Sequence, residues 1–247
     1  MPKLFISFQE NTSTAHRYYN DVWTKEKNEE VYGEDVSPEG LGHNFVVRGE
    51  IDSSLLPLDL PAFGHSVWQV SRVIDHQFLT DGPTTLEWIT KLLWEKLKEK
   101  WPKHKVTLSV FEGENLWSSF NGSEHTLTMR TKISAVHRHW REELEQSENQ
   151  ALYGKCSGLH GHEYKVDVTV LGEMDQDSRL IVRRAHFKDV LKNVTELNGK
   201  YLNDIMGNTS GEKITLYIKN MLKPLLPPDL SLKKVAVHET RKNSFYL

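Results

Sequence analysis

The chain's single cysteine, Cys156, is followed four residues later by a histidine pair with one residue between, His160-Gly161-His162, so residue types that bind metal and move protons lie close together. Residues i and i+2 of a strand point to one face, so both imidazoles can reach a single ion if a strand begins at His160. Gly161 removes a side chain from the opposite face. His137, followed by Arg138, is the natural third ligand. Three neutral imidazoles suit zinc and leave its fourth position open, the pattern of a catalytic centre rather than a structural one. Ordinary strand histidines can also fall at this spacing. Cys156 has two functional readings: a fourth ligand, or a thiolate made more acidic by a neighbouring cation and acting as base or nucleophile. A lone cysteine is also commonly a small buried hydrophobe. An Asp-His pair would complete such a site, the carboxylate fixing the imidazole tautomer. The chain has one, Asp75-His76, more than eighty residues upstream of the histidine pair.

An internal repeat explains that separation. STAHRYY (13–19) returns as SAVHRHW (134–140), LGHNFVV (41–47) as HGHEYKV (160–166), and VIDHQFLTD (73–81) as ELNGKYLND (196–204). TTLEWITKLLWEKL (84–97) then matches TSGEKITLYIKNML (209–222), and VTLSVFE (106–112) matches KVAVHE (234–239). Matched positions keep an offset of 119 to 127 residues in the same order, so the chain reads as two modules, 1–122 and 123–247. The junction is placed near Ser119–Thr126, where polar residues and a glycine break the pattern.

The elements that must hold these residues follow from periodicity. Tyr164, Val166, Val168 and Val170 alternate with Lys165, Asp167 and Thr169, a strand with one apolar face. Val106, Leu108 and Val110 late in the first module and Val235 and Val237 late in the second alternate likewise, and both runs end on a glutamate, Glu112 and Glu239. Thr84 or Thr85 caps a helix with the stripe Leu86, Ile89, Leu92, Leu93 and Leu97; Ile214, Tyr217, Ile218, Met221 and Leu222 form its counterpart. A further helix is expected over 185–197. Strands, two helices and strands per module make an α+β class.

Composition narrows the function classes. A formal net charge of -3 points away from nucleic-acid binding, so an anionic small molecule would need a local basic pocket. No apolar run reaches membrane-spanning length and no signal-peptide pattern opens the chain, so a cytoplasmic protein without membrane association is expected.

SAVHRHW, Cys-x3-HGH, the VIDHQFLTD and ELNGKYLND segments, the Thr-x-x-Glu helix starts and the terminal VHET together resemble the 6-pyruvoyltetrahydropterin synthase family across nearly all of both halves. The Cys-x3-HGH spacing is most similar to its 6-carboxytetrahydropterin synthase branch, which implies queuosine biosynthesis. The resemblance implies tandem tunnelling-fold (T-fold) modules, each an antiparallel sheet with two helices on one face, in a homo-oligomer with sites at module interfaces. It also implies a zinc-dependent lyase acting on 7,8-dihydroneopterin triphosphate, with Zn2+ as cofactor; 6-pyruvoyl formation, side-chain cleavage and a non-catalytic pterin- or purine-binding paralogue are the alternatives.

Carried over by position, His137, His160 and His162 match the zinc ligands and Cys156 the catalytic thiol, whereas Asn198-Gly199 stands where the family has Asp-His. The first module keeps Asp75-His76 and two ligand positions, His16 and His43, but has Leu41 at the remaining ligand position and Ser37 or Asp35 at the thiol position. The losses are complementary, so a composite site is expected, with Cys156 and the metal from the second module and Asp75 and His76 from the first, of the same chain or a neighbour. Glu87 and Glu212 align with the pterin-anchoring carboxylate, although carboxylates are also favoured at helix starts. Glu212 and Glu239 are expected to bind substrate at the zinc-bearing site; Glu112 binds substrate or orients His76. Arg17, Arg138, Arg183 and Arg184 are candidate triphosphate contacts, and Arg183 departs from the family's acidic residue.

Overall fold

The structure is a computed structural model that describes residues 4–53 and 58–247. One order of elements runs through it twice. β1 (Phe5–His16), α1 (Lys25–Tyr32), β2 (Leu41–Asp52), α2 (Leu60–Ser71), α3 (Leu86–Lys100), β3 (Val106–Glu112) and β4 (Leu116–Phe120) come first. β5 (His125–His137), α4 (Gln146–Tyr153), β6 (His160–Leu171), α5 (Arg184–Thr195), α6 (Leu202–Met206), α7 (Gly211–Leu222), β7 (Ser231–His238) and β8 (Ser244–Tyr246) follow. Among the described residues only the short α6 lacks a counterpart in the first run. Strands neighbour one another in chain order, and β1 with β2, β2 with β3, β3 with β4 and β7 with β8 pair antiparallel. The α+β class expected from the sequence is the one observed.

The chain forms two compact units, residues 1–128 with 171–186 and residues 129–170 with 187–247. The segment 171–186 follows β6 in the second run of the sequence, yet it packs as part of the first unit.

In the first unit Phe45, Val47 and Ile51 of β2 and Val106, Leu108 and Val110 of β3 are buried, as is the α3 stripe of Leu86, Ile89, Leu93 and Leu97; Leu92 is half-buried. Thr85 is the cap of α3, its hydroxyl accepting from the Trp88 amide. Thr84 has a different use: its hydroxyl accepts from the Arg17 amide. Gly49 lets the helices approach β2, since a Cβ there would meet Val67 at 2.5 Å. In the second unit Tyr164, Val166, Val168 and Val170 of β6 and Val235 and Val237 of β7 are buried, covered by Phe187, Val190, Leu191 and Val194 of α5 and Ile214, Ile218 and Leu222 of α7. Helices α1 and α4 are additions to the sequence reading. Thr24 caps α1, and a reciprocal capping box between Glu145 and Glu148 starts α4. Among the described residues no helix is long and apolar enough to cross a membrane.

Candidate metal centre and proton-transfer residues

His137 ends β5 while His160 and His162 begin β6, and their ring centroids lie 4.5, 5.1 and 5.2 Å apart in the second unit. One ring nitrogen from each comes within 4.8 Å of the others. Gly161 permits this approach: a Cβ there would stand 2.9 Å from the Ala135 carbonyl oxygen.

Hydrogen bonds orient two of the rings. His137 Nδ1 lies 3.2 Å from the Thr209 carbonyl and His160 Nδ1 lies 2.8 Å from the Gly158 carbonyl. A carbonyl only accepts, so each Nδ1 carries the proton and each Nε2 keeps its lone pair. His137 Nε2 is buried and has no hydrogen-bond partner. Burial pushes His137 down to about 4, opposed by the Thr209 carbonyl, and burial also lowers His162. Neutral imidazoles with an orphaned buried lone pair fit a divalent metal of the zinc type.

Glu239, just past β7, lies with Oε1 3.7 Å from His137 Nε2 and 3.8 Å from His162 Nε2. Cys156 is half-buried in the turn Gly154–Ser157; its carbonyl accepts from the His139 amide, and its thiol stands outside the three-imidazole cluster. Glu212 is exposed at the start of α7, its carboxyl lowered first by the Ser210 hydroxyl.

Asp75 and His76 belong to the first unit. The Asp75 carboxylate accepts from the Ser13 amide at 3.0 Å, the Thr12 hydroxyl at 2.9 Å and Arg72 at 2.6 Å, and it faces His76 Nδ1 at 3.1 Å. The Ser13 amide is the main reason that this carboxyl sits at about 2. The same scaffold recurs in the second unit, where Asn198 Oδ1 accepts from the Ser134 amide at 2.8 Å. The backbone of the next residue is matched too: the amides of His76 and Gly199 each donate to a carbonyl, Ser13 and Ser134, at 2.7 Å. Both are left-handed, with φ of 55° at His76 and 72° at Gly199. Glycine takes that conformation without cost and histidine does not. His76 is therefore a strained, largely exposed side chain (81%) held beside a carboxylate.

The first unit has its own histidine group, His16, His43 and Glu112, whose candidate ligand atoms also lie within 4.8 Å. His16 Nδ1 donates to the Thr84 carbonyl at 2.8 Å, as His137 does to Thr209. Its Nε2, however, accepts from His43 Nδ1 at 2.8 Å. His43 Nε2 lies 3.4 Å from Glu112. The Glu112 carboxylate thus stands against His43 and Arg184, while His76 is held by Asp75. Leu41 packs on an apolar cluster of Tyr18, Val31, Tyr32 and Leu180. Ser37 is structural, its hydroxyl accepting from the Tyr18 amide.

Of the arginines, Arg17 pairs with Asp21, Arg183 with Glu30, and Arg138 lies over the Trp140 ring. Arg184 is 5% exposed among anionic side chains, which removes it from contact with a phosphate. Sequence reasoning named Arg184 as a phosphate contact and so missed its burial, along with the network in which Arg130 and His238 both bond Asp167. The available signal for Arg184 was a double arginine directly after the apolar run Leu180-Ile181-Val182.

A family model described as 6-pyruvoyl tetrahydropterin synthase matches residues 126–247. The human protein named 6-pyruvoyl tetrahydrobiopterin synthase is 33% identical over 128 residues, covering 47% of this chain and 86% of that protein. A dihydroneopterin monophosphate aldolase of Pyrococcus furiosus is 33% identical over 88 residues, 33% of this chain and 70% of that protein. The solved structure of Caenorhabditis elegans 6-pyruvoyl tetrahydropterin synthase superimposes with a TM-score of 0.46 at 30% identity, covering 49% of this chain and 93% of that one.

Proposed function

Because the chain belongs to the 6-pyruvoyl tetrahydropterin synthase family, we propose that it is a zinc-dependent pterin lyase acting on 7,8-dihydroneopterin triphosphate, with 6-carboxytetrahydropterin formation as its reaction. The observation that carries the reading is the buried, unpartnered Nε2 of His137 facing the His160 and His162 rings. His137, His160 and His162 hold the metal. When bound, zinc supplies Lewis acidity to the side-chain hydroxyls of the substrate.

The chain's own residues have separate tasks in this proposal. The Thr209 and Gly158 carbonyls lock His137 and His160 in the tautomer that offers Nε2. Cys156, as thiolate, takes the proton from the activated substrate carbon. Asp75 holds His76 by Nδ1, leaving Nε2 to carry protons to and from that site. Residues of the two modules make one composite site, drawn from one chain or from neighbours in a homo-oligomer. Glu212 and Glu239 accept from the donor edge of the pterin; Glu112 belongs to the other histidine group. The cell compartment proposed is the cytoplasm.

A second reading, cleavage of the pterin side chain, is favoured by the likeness to the archaeal aldolase. One experiment separates the two: incubation of zinc-loaded protein with 7,8-dihydroneopterin triphosphate and mass spectrometry of the products. The proposal expects 6-carboxytetrahydropterin. A 6-hydroxymethyl product would establish the second reading, a 6-pyruvoyl product would move the chain to that branch, and unchanged substrate would overturn catalysis.

A further inference from the structure

The first histidine group carries features that a metal site does not explain. Arg184 reaches into it almost fully buried, with its guanidinium over the Tyr18 ring at 4.7 Å and one terminal nitrogen donating to the Tyr18 hydroxyl. Three carboxylates surround that cation. Glu112 Oε2 lies 3.6 Å from that same nitrogen, Asp35 Oδ2 lies 3.7 Å from Nε, and Glu87, within electrostatic reach of Arg184, is fully buried with an unpartnered Oε2. Burying so many acceptors without a cation would be costly.

The positions that differ between the two runs fit this use. The turns Gly33–Asp35 and Gly154–Ser157 both begin with a left-handed glycine, φ 58° and 56°, which puts Asp35 where the second run has Cys156. A thiol has become a carboxylate facing Arg184. Leu41, in place of a ligand histidine, packs against the cluster that includes Leu180 of the same segment as Arg184. The segment itself is clamped by its backbone. Tyr32 donates to the Ser178 carbonyl at 3.0 Å, Asn20 to the Asp177 carbonyl at 3.0 Å, and the Ile181 amide to Glu87 at 3.4 Å.

We propose that the pocket of Tyr18, Asp35, Glu87 and Glu112 is a guanidinium receptor, occupied in cis by Arg184, and that the His16 group beside it is consequently not a metal site. The planar fork of a guanidinium matches carboxylates on several sides, which an ammonium point charge does not. The His16–His43 hydrogen bond agrees, because it consumes the lone pair that a metal would need. The inference stands whether or not the other unit is catalytic.

Chemical rescue tests it. Arg184→Ala is expected to lower the melting temperature on the order of 10 °C, and millimolar ethylguanidinium to restore much of the loss, whereas ethylammonium and sodium chloride do not. Arg184→Lys, keeping charge without the fork, is expected to remain destabilised. If the alanine variant does not fold unaided, refolding yield with and without ethylguanidinium gives the same reading. Equal rescue by ethylammonium, or a lysine variant as stable as the parent, would overturn the receptor. Zinc is counted in the full chain carrying His160→Ala and His162→Ala: none bound is expected, and one ion per chain would show that the His16 group takes metal with Arg184 in place.

Discussion

His16 and His137 occupy the same place in their units and differ at one atom. Each ends its strand, each donates Nδ1–H to a threonine carbonyl, and burial holds each at about 4. Proton competition therefore cannot separate the two sites. What separates them is Nε2: accepting from His43 in one unit, buried and unpartnered in the other. The neighbouring side chains have moved in step. Glu239 faces two imidazoles and accepts from the Asn243 side-chain amide, whereas Glu112 shares an imidazole with a guanidinium. One scaffold can thus be turned from ligand-offering to self-satisfied by changing what surrounds a conserved geometry of backbone carbonyls.

The largest effect that would break this comparison is on turnover. Cys156→Ala is expected to lower kcat by on the order of 10²–10⁴ and His76→Ala by a similar factor, if proton transfer draws on both units. His43→Ala is expected to leave zinc content unchanged. Steady-state kinetics with metal analysis of each variant checks all three, and an unaltered rate for His76→Ala would confine the chemistry to the second unit.

Stability against pH follows from the histidines. The folded values of His16 and His137 are depressed below the ordinary 6.5. Between about 4 and 6.5 the unfolded chain binds more protons, so stability is complete above 6.5 and falls as pH drops through that window, by about 1 kcal/mol per pH unit for each histidine. Denaturant titrations of metal-free protein should show nearly equal flattening for His16→Asn and His137→Asn. Adding zinc should stabilise the parent near neutral pH and the His16 variant equally, but not the His137 variant.

The glycines of the two Gly-His sequences give a smaller contrast. Gly161→Ala would put a Cβ 2.9 Å from the Ala135 carbonyl, whereas a Cβ at Gly42 meets nothing within 4 Å. The first change is expected to cost about 1–3 kcal/mol and to weaken zinc binding, the second to be nearly neutral. Thermal melts with and without zinc distinguish them, and equal costs would mean that the approach of β6 to β5 is not what assembles the cluster.

Much of this was legible because it rests on local periodicity. The alternation of Tyr164 to Val170, the α3 stripe and the 185–197 helix depend on neighbours along the chain, and each element lies where the pattern puts it to within a few residues. The three-histidine cluster was legible for the same reason, since strand geometry places His160 and His162 on one face. The role of Arg184 was not. Its partners Tyr18, Asp35 and Glu112 are distant in sequence, and the apolar run before the double arginine says neither which of the two is buried nor what it meets. The helices α1 and α4 were hidden differently, being short, polar and set by caps rather than by an apolar stripe.

The pair His76 and Gly199 reverses the usual meaning of a lost motif. Asn198 keeps the Asp75 hydrogen bond to a serine amide, and Gly199 keeps the left-handed backbone, so the second unit has retained the turn and relaxed it. His76 carries an imidazole in the conformation that glycine prefers, with little burial to repay it and only an exposed pairing with Asp75. His76→Gly is therefore expected to raise stability by about 1 kcal/mol, since relief of the left-handed strain exceeds the added chain entropy of glycine. The same variant should lose turnover as His76→Ala does. A more stable, less active protein would identify the strain as kept for the imidazole; a less stable one would mean that His76 packs against a neighbouring chain and that its backbone is shaped by assembly instead.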